Sequence, residues 1–150
     1  MKIGILSLII ATLFFVADAQ AQIFTFKGKT DQLTTVGGVG PNASDYVGAK
    51  WTGTSKFKVI GGEEGESKYD CAGMGQPPDN NIFERHGACT VTNDDGIYNM
   101  VVGCYPLNED GSEQACLGGM TGISGAYEGR QGVMSFTTKG NTSVGSGHWN

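Results

Sequence analysis

Only 17 % of the 150 residues are charged, with 10 basic against 15 acidic, and proline occurs just 4 times. Each scarcity excludes something. A net charge of −5 with histidine neutral repels phosphate backbones and anionic headgroups. No basic stripe with interleaved aromatics exists, so nucleic acid is not an expected partner. Few prolines and no Gly-X-Y period exclude a collagen-like rod. The four cysteines form no Cys-x-x-Cys pair and their spacings are unlike zinc-ribbon knuckles, so no metal is expected. No Gly-x-Ser-x-Gly elbow is present. Gly37-Gly38-Val39-Gly40 is not followed by the Lys-Ser/Thr of a phosphate loop. After Gln22, no window of 11 residues carries a 3.6-residue apolar period, so no helix is expected in the body of the chain.

Glycine is what the chain has in excess, with 25 residues against an average usage of about 7 %. That content is costly in helices, at about 1 kcal/mol per residue relative to alanine. It suits turns, bulges and the tight corners of barrels.

Residues 1–21 read as an export signal. Met1-Lys2 is a short positive start, Ile3 to Val16 is an apolar run, and Ala19-Gln20-Ala21 fits a small-x-small cleavage site. The run is short for a bilayer span of about 20 residues, so no membrane span is expected after cleavage. Removal takes away Lys2 and Asp18 together and leaves the net charge unchanged. The expected location is secreted or periplasmic, with residues 22–150 forming a single domain.

An even number of cysteines in an exported chain reads as two disulfides, with three connectivities open. Strand order favours Cys104–Cys116, across the loop between two strands, and Cys71–Cys89, flanking the polar loop from Gln76 to Arg85.

Strands are the only regular elements the pattern predicts. Trp51, Gly53, Ser55, Phe57 and Val59 alternate with Thr52, Thr54, Lys56 and Lys58, the period of a half-buried strand. Ile23 to Lys29 alternates likewise, and Thr34 to Gly48 reads as a long loop. Gly87 to Thr92 and Ile97 to Cys104 flank Asn93-Asp94-Asp95-Gly96, a strong hairpin signal. Strands at Ala115 to Thr121, Gly132 to Thr138 and Ser143 to Trp149 follow. The expected fold is all-β, a disulfide-clamped antiparallel up-and-down β-barrel of about eight strands. Small residues expected on inward faces (Gly53, Ser55, Gly103, Ser135) either leave a cavity or relieve crowding.

The segment Gly122-Ile123-Ser124-Gly125-Ala126-Tyr127-Glu128-Gly129-Arg130-Gln131-Gly132, approached through Gly118 and Gly119, reads as a tight loop into a strand. It resembles the Gly-Gly-x-Gly-x-[Phe/Tyr]-x-Gly-x-x-Gly stretch of the allene oxide cyclase and dirigent barrel family. Glu128-Gly129 looks like the cyclase version. His86-Gly87-x-Cys89-x-Val91, followed by an Asp-Asp-Gly turn, is similar to small secreted bacterial members. The resemblance covers residues 69–149. It implies an allene oxide cyclase-like, calycin-like barrel holding an apolar or phenolic small molecule, without a cofactor. Plant cyclases of the family use an acidic residue on an early strand. The early strands read here, Ile23 to Lys29 and Trp51 to Val59, carry no Asp or Glu.

Candidate chemistry lies in Glu84-Arg85-His86, a carboxylate, guanidinium and imidazole suited to acid–base work. Candidate ligand contacts are Tyr98 and Met100, which share a face with Val102, together with Glu128, Arg130 and Trp149. Glu84, Arg85 and His86 are expected to line one mouth of a cavity with Tyr98 below, and Glu128 and Arg130 to face the same rim. Trp149 also reads as a plug for a barrel end. The acidic turns at Asn93–Gly96 and Asn108–Gly111 lack a twelve-residue calcium loop and read as turns. Asn42-Ala43-Ser44 and Asn141-Thr142-Ser143 are formal glycosylation acceptors. Two functions remain. One is a barrel that binds a small apolar or phenolic molecule and, as an enzyme, acts as a cofactor-independent cyclase, isomerase or lyase. The other is a non-catalytic module that recognises a protein or glycan through its loops. A continuous apolar cavity separates the first from the second, and a homo-oligomer is compatible with both.

Overall fold

The computed structural model describes residues 21–38, 47–75 and 83–150. The export signal, apart from Ala21, the Asn42 acceptor and most of the loop from Gln76 onward lie outside the described residues. Eight strands follow one another: β1 (Gln22–Gly37), β2 (Val47–Val59), β3 (Glu64–Gly75), β4 (Arg85–Asn93), β5 (Gly96–Pro106), β6 (Glu113–Gly125), β7 (Gln131–Lys139) and β8 (Thr142–Trp149). Each pairs antiparallel with its chain neighbours, and β1 pairs with both β2 and β8, closing the sheet into an up-and-down barrel. Among the described residues there is no helix.

Three elements differ from the expected pattern. First, β1 runs to Gly37 and pairs Thr34 with Lys50 and Val36 with Gly48. The β-branched run Thr34-Thr35-Val36 favours the strand that its glycine-rich sequel had obscured. A register shift between Thr30 and Gln32 marks a bulge at Asp31. Second, β3 lacks an apolar alternation. Glu64, Glu66, Lys68 and Asp70 lie on its outer face, while the inward face holds Gly65, Ser67, Tyr69 and Cys71. Third, β6 continues to Gly125, so the turn of the glycine-rich segment begins only at Ala126.

Both disulfides join register partners of adjacent strands. Cys71 faces Cys89 across β3 and β4, and Cys104 faces Cys116 across β5 and β6. All four side chains point into the barrel, and Cys71 and Cys89 pack with Val91 in a buried cluster.

The interior is where the glycines act. Phe57 stands opposite Gly65, Phe24 opposite Gly147, Phe136 opposite Gly145, and Trp149 opposite Gly132. A Cβ on Gly65 would lie 2.6 Å from the Phe57 ring, and one on Gly147 would lie 2.6 Å from that of Phe24. Trp51 uses two such sites, since a Cβ on Gly73 or Gly87 would come within 2.9 or 3.0 Å of its indole. Each ring therefore lies along the wall over a bare backbone instead of projecting across the lumen. An eight-stranded barrel is just narrow enough for side chains to fill; here the rings are laid flat and the centre stays open. Gly103 and Ser135, by contrast, face outward, because Tyr98, Met100, Val102 and Cys104 on β5 and Met134 and Phe136 on β7 take the inward positions.

The outer wall is uneven in charge. Cross-strand pairs Lys56–Glu66 and Lys58–Glu64 and the diagonal pair Lys50–Asp70 span β2 and β3. On β5 to β8, by contrast, Val101, Leu117, Ile123, Val133 and Val144 stand exposed. The charged pairs are exposed and screened by solvent. Replacing Lys58 by alanine should therefore leave the melting temperature of the barrel unmoved, despite the 2.6 Å contact with Glu64. A clear drop in a thermal denaturation scan would show that the ladder is coupled to the fold.

Candidate functional site

The barrel holds a cavity of about 1150 Å³, partly open to solvent and above the roughly 300–1,000 Å³ of ordinary small-molecule sites. Its middle is lined by Phe26, Phe57, Met100, Val102, Met134 and Phe136, with both disulfides in the wall. One end is packed with an aromatic cluster. Tyr98 meets Tyr127 and Trp149 edge-on, each at 5.2 Å between ring centres, and Tyr127 lies 5.1 Å from Trp149. Trp149 is 3 % exposed. The Arg130 guanidinium sits 5.7 Å from the centre of its ring and donates to Gln22 Oε1 at 2.8 Å. Trp149 is thus packed into this end of the barrel and also lines the cavity.

A polar network holds this end in shape. Asn93 Nδ2 donates to the Tyr127 hydroxyl at 2.8 Å and to Ser67 Oγ at 3.3 Å, and the Tyr127 hydroxyl donates to Asp95 Oδ2 at 3.4 Å. Asn93 Oδ1 accepts from the backbone N–H groups of Asp95 and Gly96, forming the β4–β5 turn. In the second acidic turn, Asp110 Oδ1 accepts from the Ser112 N–H and Asn108 Oδ1 from the Glu113 N–H. Among the described residues no three His, Cys, Asp or Glu side chains gather to hold a metal ion.

The candidate residues fall at two ends. Arg85 pairs in register with Cys104, and Tyr98 with Val91, six residues further along β5. At about 3.4 Å per residue, that separates Arg85 from Tyr98 by roughly 20 Å along the strand. Tyr98, Glu128 and Arg130 belong to the aromatic end, whereas Arg85 and His86 lie where β4 begins. The expected common rim is therefore two rims. Glu84, Arg85 and His86 do not converge either. Glu84 precedes β4 and is not among the cavity-lining residues, whereas Arg85 and His86 both line the cavity where β4 begins, as successive strand residues whose side chains leave opposite faces. Arg85 takes the inward position and its guanidinium lies against Gly111; a Cβ there would be 3.0 Å away. The His86 ring meets Phe83 edge-on at 6.1 Å, and its Nδ1 is buried without a hydrogen-bond partner among the described residues. Glu128 is exposed on the β6–β7 turn. Met100 lines the cavity and packs against both buried clusters.

Asp31 escaped the sequence pattern. It sits at the β1 bulge, exposed and lining the cavity, in a stretch that reads as the edge of a loop. A bulge re-aims a side chain locally, and no periodicity announces one.

The buried tyrosines titrate late. Burial pushes the phenols of Tyr98, Tyr69 and Tyr127 up, most strongly that of Tyr98, where the neighbouring Tyr127 adds to the effect. Each folded-state value lies above the unfolded one of about 10. The stability these groups contribute is fully present below pH ~10 and is lost as pH rises further. Tyrosinate absorbance should therefore rise in step with loss of near-ultraviolet circular dichroism in alkali. Complete ionisation while the dichroism persists would contradict the burial of these rings.

No protein-family model and no curated protein matches the chain.

Proposed function

We propose that the protein is an exported barrel that takes a small apolar or phenolic molecule into its interior. The observation that carries this reading is the cavity of about 1150 Å³ walled by rings laid flat over glycine. A scaffold for loop recognition has no use for such a space and would fill it, because interiors pack to crystal-like density and voids cost stability. Two inward disulfides suit an oxidising compartment, which supports export. Where the protein acts chemically, the reading is a cofactor-free cyclisation or isomerisation, as the resemblance of Gly122–Gly132 to the allene oxide cyclase and dirigent barrels implies. In that case the confined apolar surface folds the substrate into one conformer, which is catalysis by positioning.

Titration with N-phenyl-1-naphthylamine, an uncharged aromatic fluorophore, tests the binding reading. One molecule should bind per chain with enhanced, blue-shifted emission. A Ser55→Trp variant, which puts an indole into the lumen from β2, should abolish binding while the far-ultraviolet spectrum stays that of the barrel. Undiminished binding by that variant would place the dye outside the barrel and remove the reading. Native mass spectrometry of protein purified from its own medium would then identify the resident molecule.

A further inference from the structure

Among the described residues, three tyrosine hydroxyls lie on the inward face of the barrel, and two are engaged. The Tyr69 hydroxyl is 3.3 Å from Thr30 Oγ1, and that of Tyr127 lies between Asn93 and Asp95. The third, Tyr98, makes no hydrogen bond among the described residues. Its side chain packs against both buried clusters, in which the Tyr127 hydroxyl is engaged with Asn93 and Asp95 and the other members (Cys71, Cys89 and Val91 on one side, Phe24, Met120, Met134 and Trp149 on the other) offer no acceptor stronger than sulfur. Its ring is held by edge contacts to Tyr127 and Trp149. The hydroxyl is nevertheless not sealed, because the only occluded, unpartnered side-chain atom among the described residues is His86 Nδ1. Since Tyr98 lines the cavity, the free valence of its hydroxyl belongs to whatever occupies that space.

The geometry points to Tyr98 as the residue that selects the ligand. Its O–H donates to a neutral oxygen (carbonyl, ether or phenol) at the leading end of a flat apolar molecule. This rests on the reading of the cavity as a ligand site and adds the chemical class. Donation is the role the surroundings favour, because burial keeps the phenol protonated. Neutrality follows from the same surroundings, since a charged oxygen would be desolvated among sulfur and carbon with no counter-ion. Arg130, the cation at this end, is engaged by the Trp149 ring and Gln22. A pure hydrocarbon would leave the buried hydroxyl unpaired, and sites built to hydrogen-bond reject analogues that lack the partner group.

Two probes matched in shape separate this inference from the reading beneath it: 1-acetylpyrene, which carries a carbonyl, and 1-ethylpyrene, which does not. Wild-type protein should bind the ketone at least tenfold more tightly than the hydrocarbon. Tyr98→Phe, which keeps the ring and its edge contacts, should lose that margin by weakening the ketone alone. The carbonyl stretch of bound 1-acetylpyrene should move to lower frequency in wild type, a measurement that does not depend on the variant folding well. Equal affinity of wild type for the two probes, or an unshifted carbonyl stretch, would overturn the selection by Tyr98 while leaving the cavity reading intact. Binding of neither probe would overturn both.

Discussion

Removing the Cys71–Cys89 bridge by the double substitution Cys71→Ala and Cys89→Ala should lower stability by at least about 3 kcal/mol. The bridge closes a segment of 18 residues, and the chain-entropy model gives about 3 kcal/mol for a loop of that size. Cys104–Cys116 closes 12 residues and gives slightly less by the same model. The two sites differ more in packing than in loop length. Cys71 and Cys89 are 3 % and 5 % exposed and form a cluster with Val91, against which Trp51, Tyr69, Tyr98 and Met100 pack, whereas in the other pair only Cys116 is buried and neither cysteine belongs to a buried cluster. Losing that pair also loses two buried sulfurs from a wall that cannot collapse inward on a hollow centre, and a cavity term adds to the entropy. Total stability for a domain of this size is of order 5–15 kcal/mol. The first double variant should therefore melt more than 10 °C below wild type, and further below than the Cys104/Cys116 variant. Urea denaturation of both would decide it. Equal midpoints for the two variants would mean that loop closure alone sets the effect.

The pairing of the cysteines was legible because Cys104 and Cys116 stand at the facing ends of two readable strands, and Cys71 and Cys89 flank one polar loop. The Trp51–Val59 part of strand β2 was legible because five inward residues there alternate strictly with Thr and Lys, while its start at Val47 was hidden in the expected loop. Strand β3 was not, since its inward face is Gly65, Ser67, Tyr69 and Cys71, and its outward charges resemble those of a loop. The hollow interior could not be read from any single strand. It depends on glycines meeting rings across a register, Phe57 on Gly65 and Phe24 on Gly147, and register between strands is invisible to a pattern along one of them. The acid–base cluster is spread out for a plainer reason. Arg85 and His86 both line the cavity, but they are neighbours in sequence, and on a strand adjacency sends two side chains to opposite faces.

The glycine-rich segment singled out by its resemblance contains the second large effect. Gly122 sits on β6 in register with Tyr98, and its N–H donates to the Arg130 carbonyl at 2.9 Å. A Cβ at this position would fall on the carbonyl oxygen of Tyr127 and come 2.9 Å from the Tyr127 Cβ. The obstacle is backbone, so no rotamer change relieves it. The turn from Ala126 to Arg130 must move, carrying Tyr127 away from Trp149, Asn93 and Asp95. Gly122→Ala should therefore cost about 3 kcal/mol or more, the upper range for overpacking, and should unseat Trp149. Gly129, seven residues on, is the control. It has φ +74° but nothing within 4 Å of its would-be Cβ, so alanine there meets only the left-handed backbone penalty of roughly 1–2 kcal/mol. Trp149 reports the difference. Its fluorescence in Gly122→Ala should shift to the red and become open to acrylamide quenching at temperatures where Gly129→Ala still shows a buried indole. If the two alanine variants match in both melting temperature and quenching, the close approach of β6 to the Tyr127 turn is not what packs this end of the barrel.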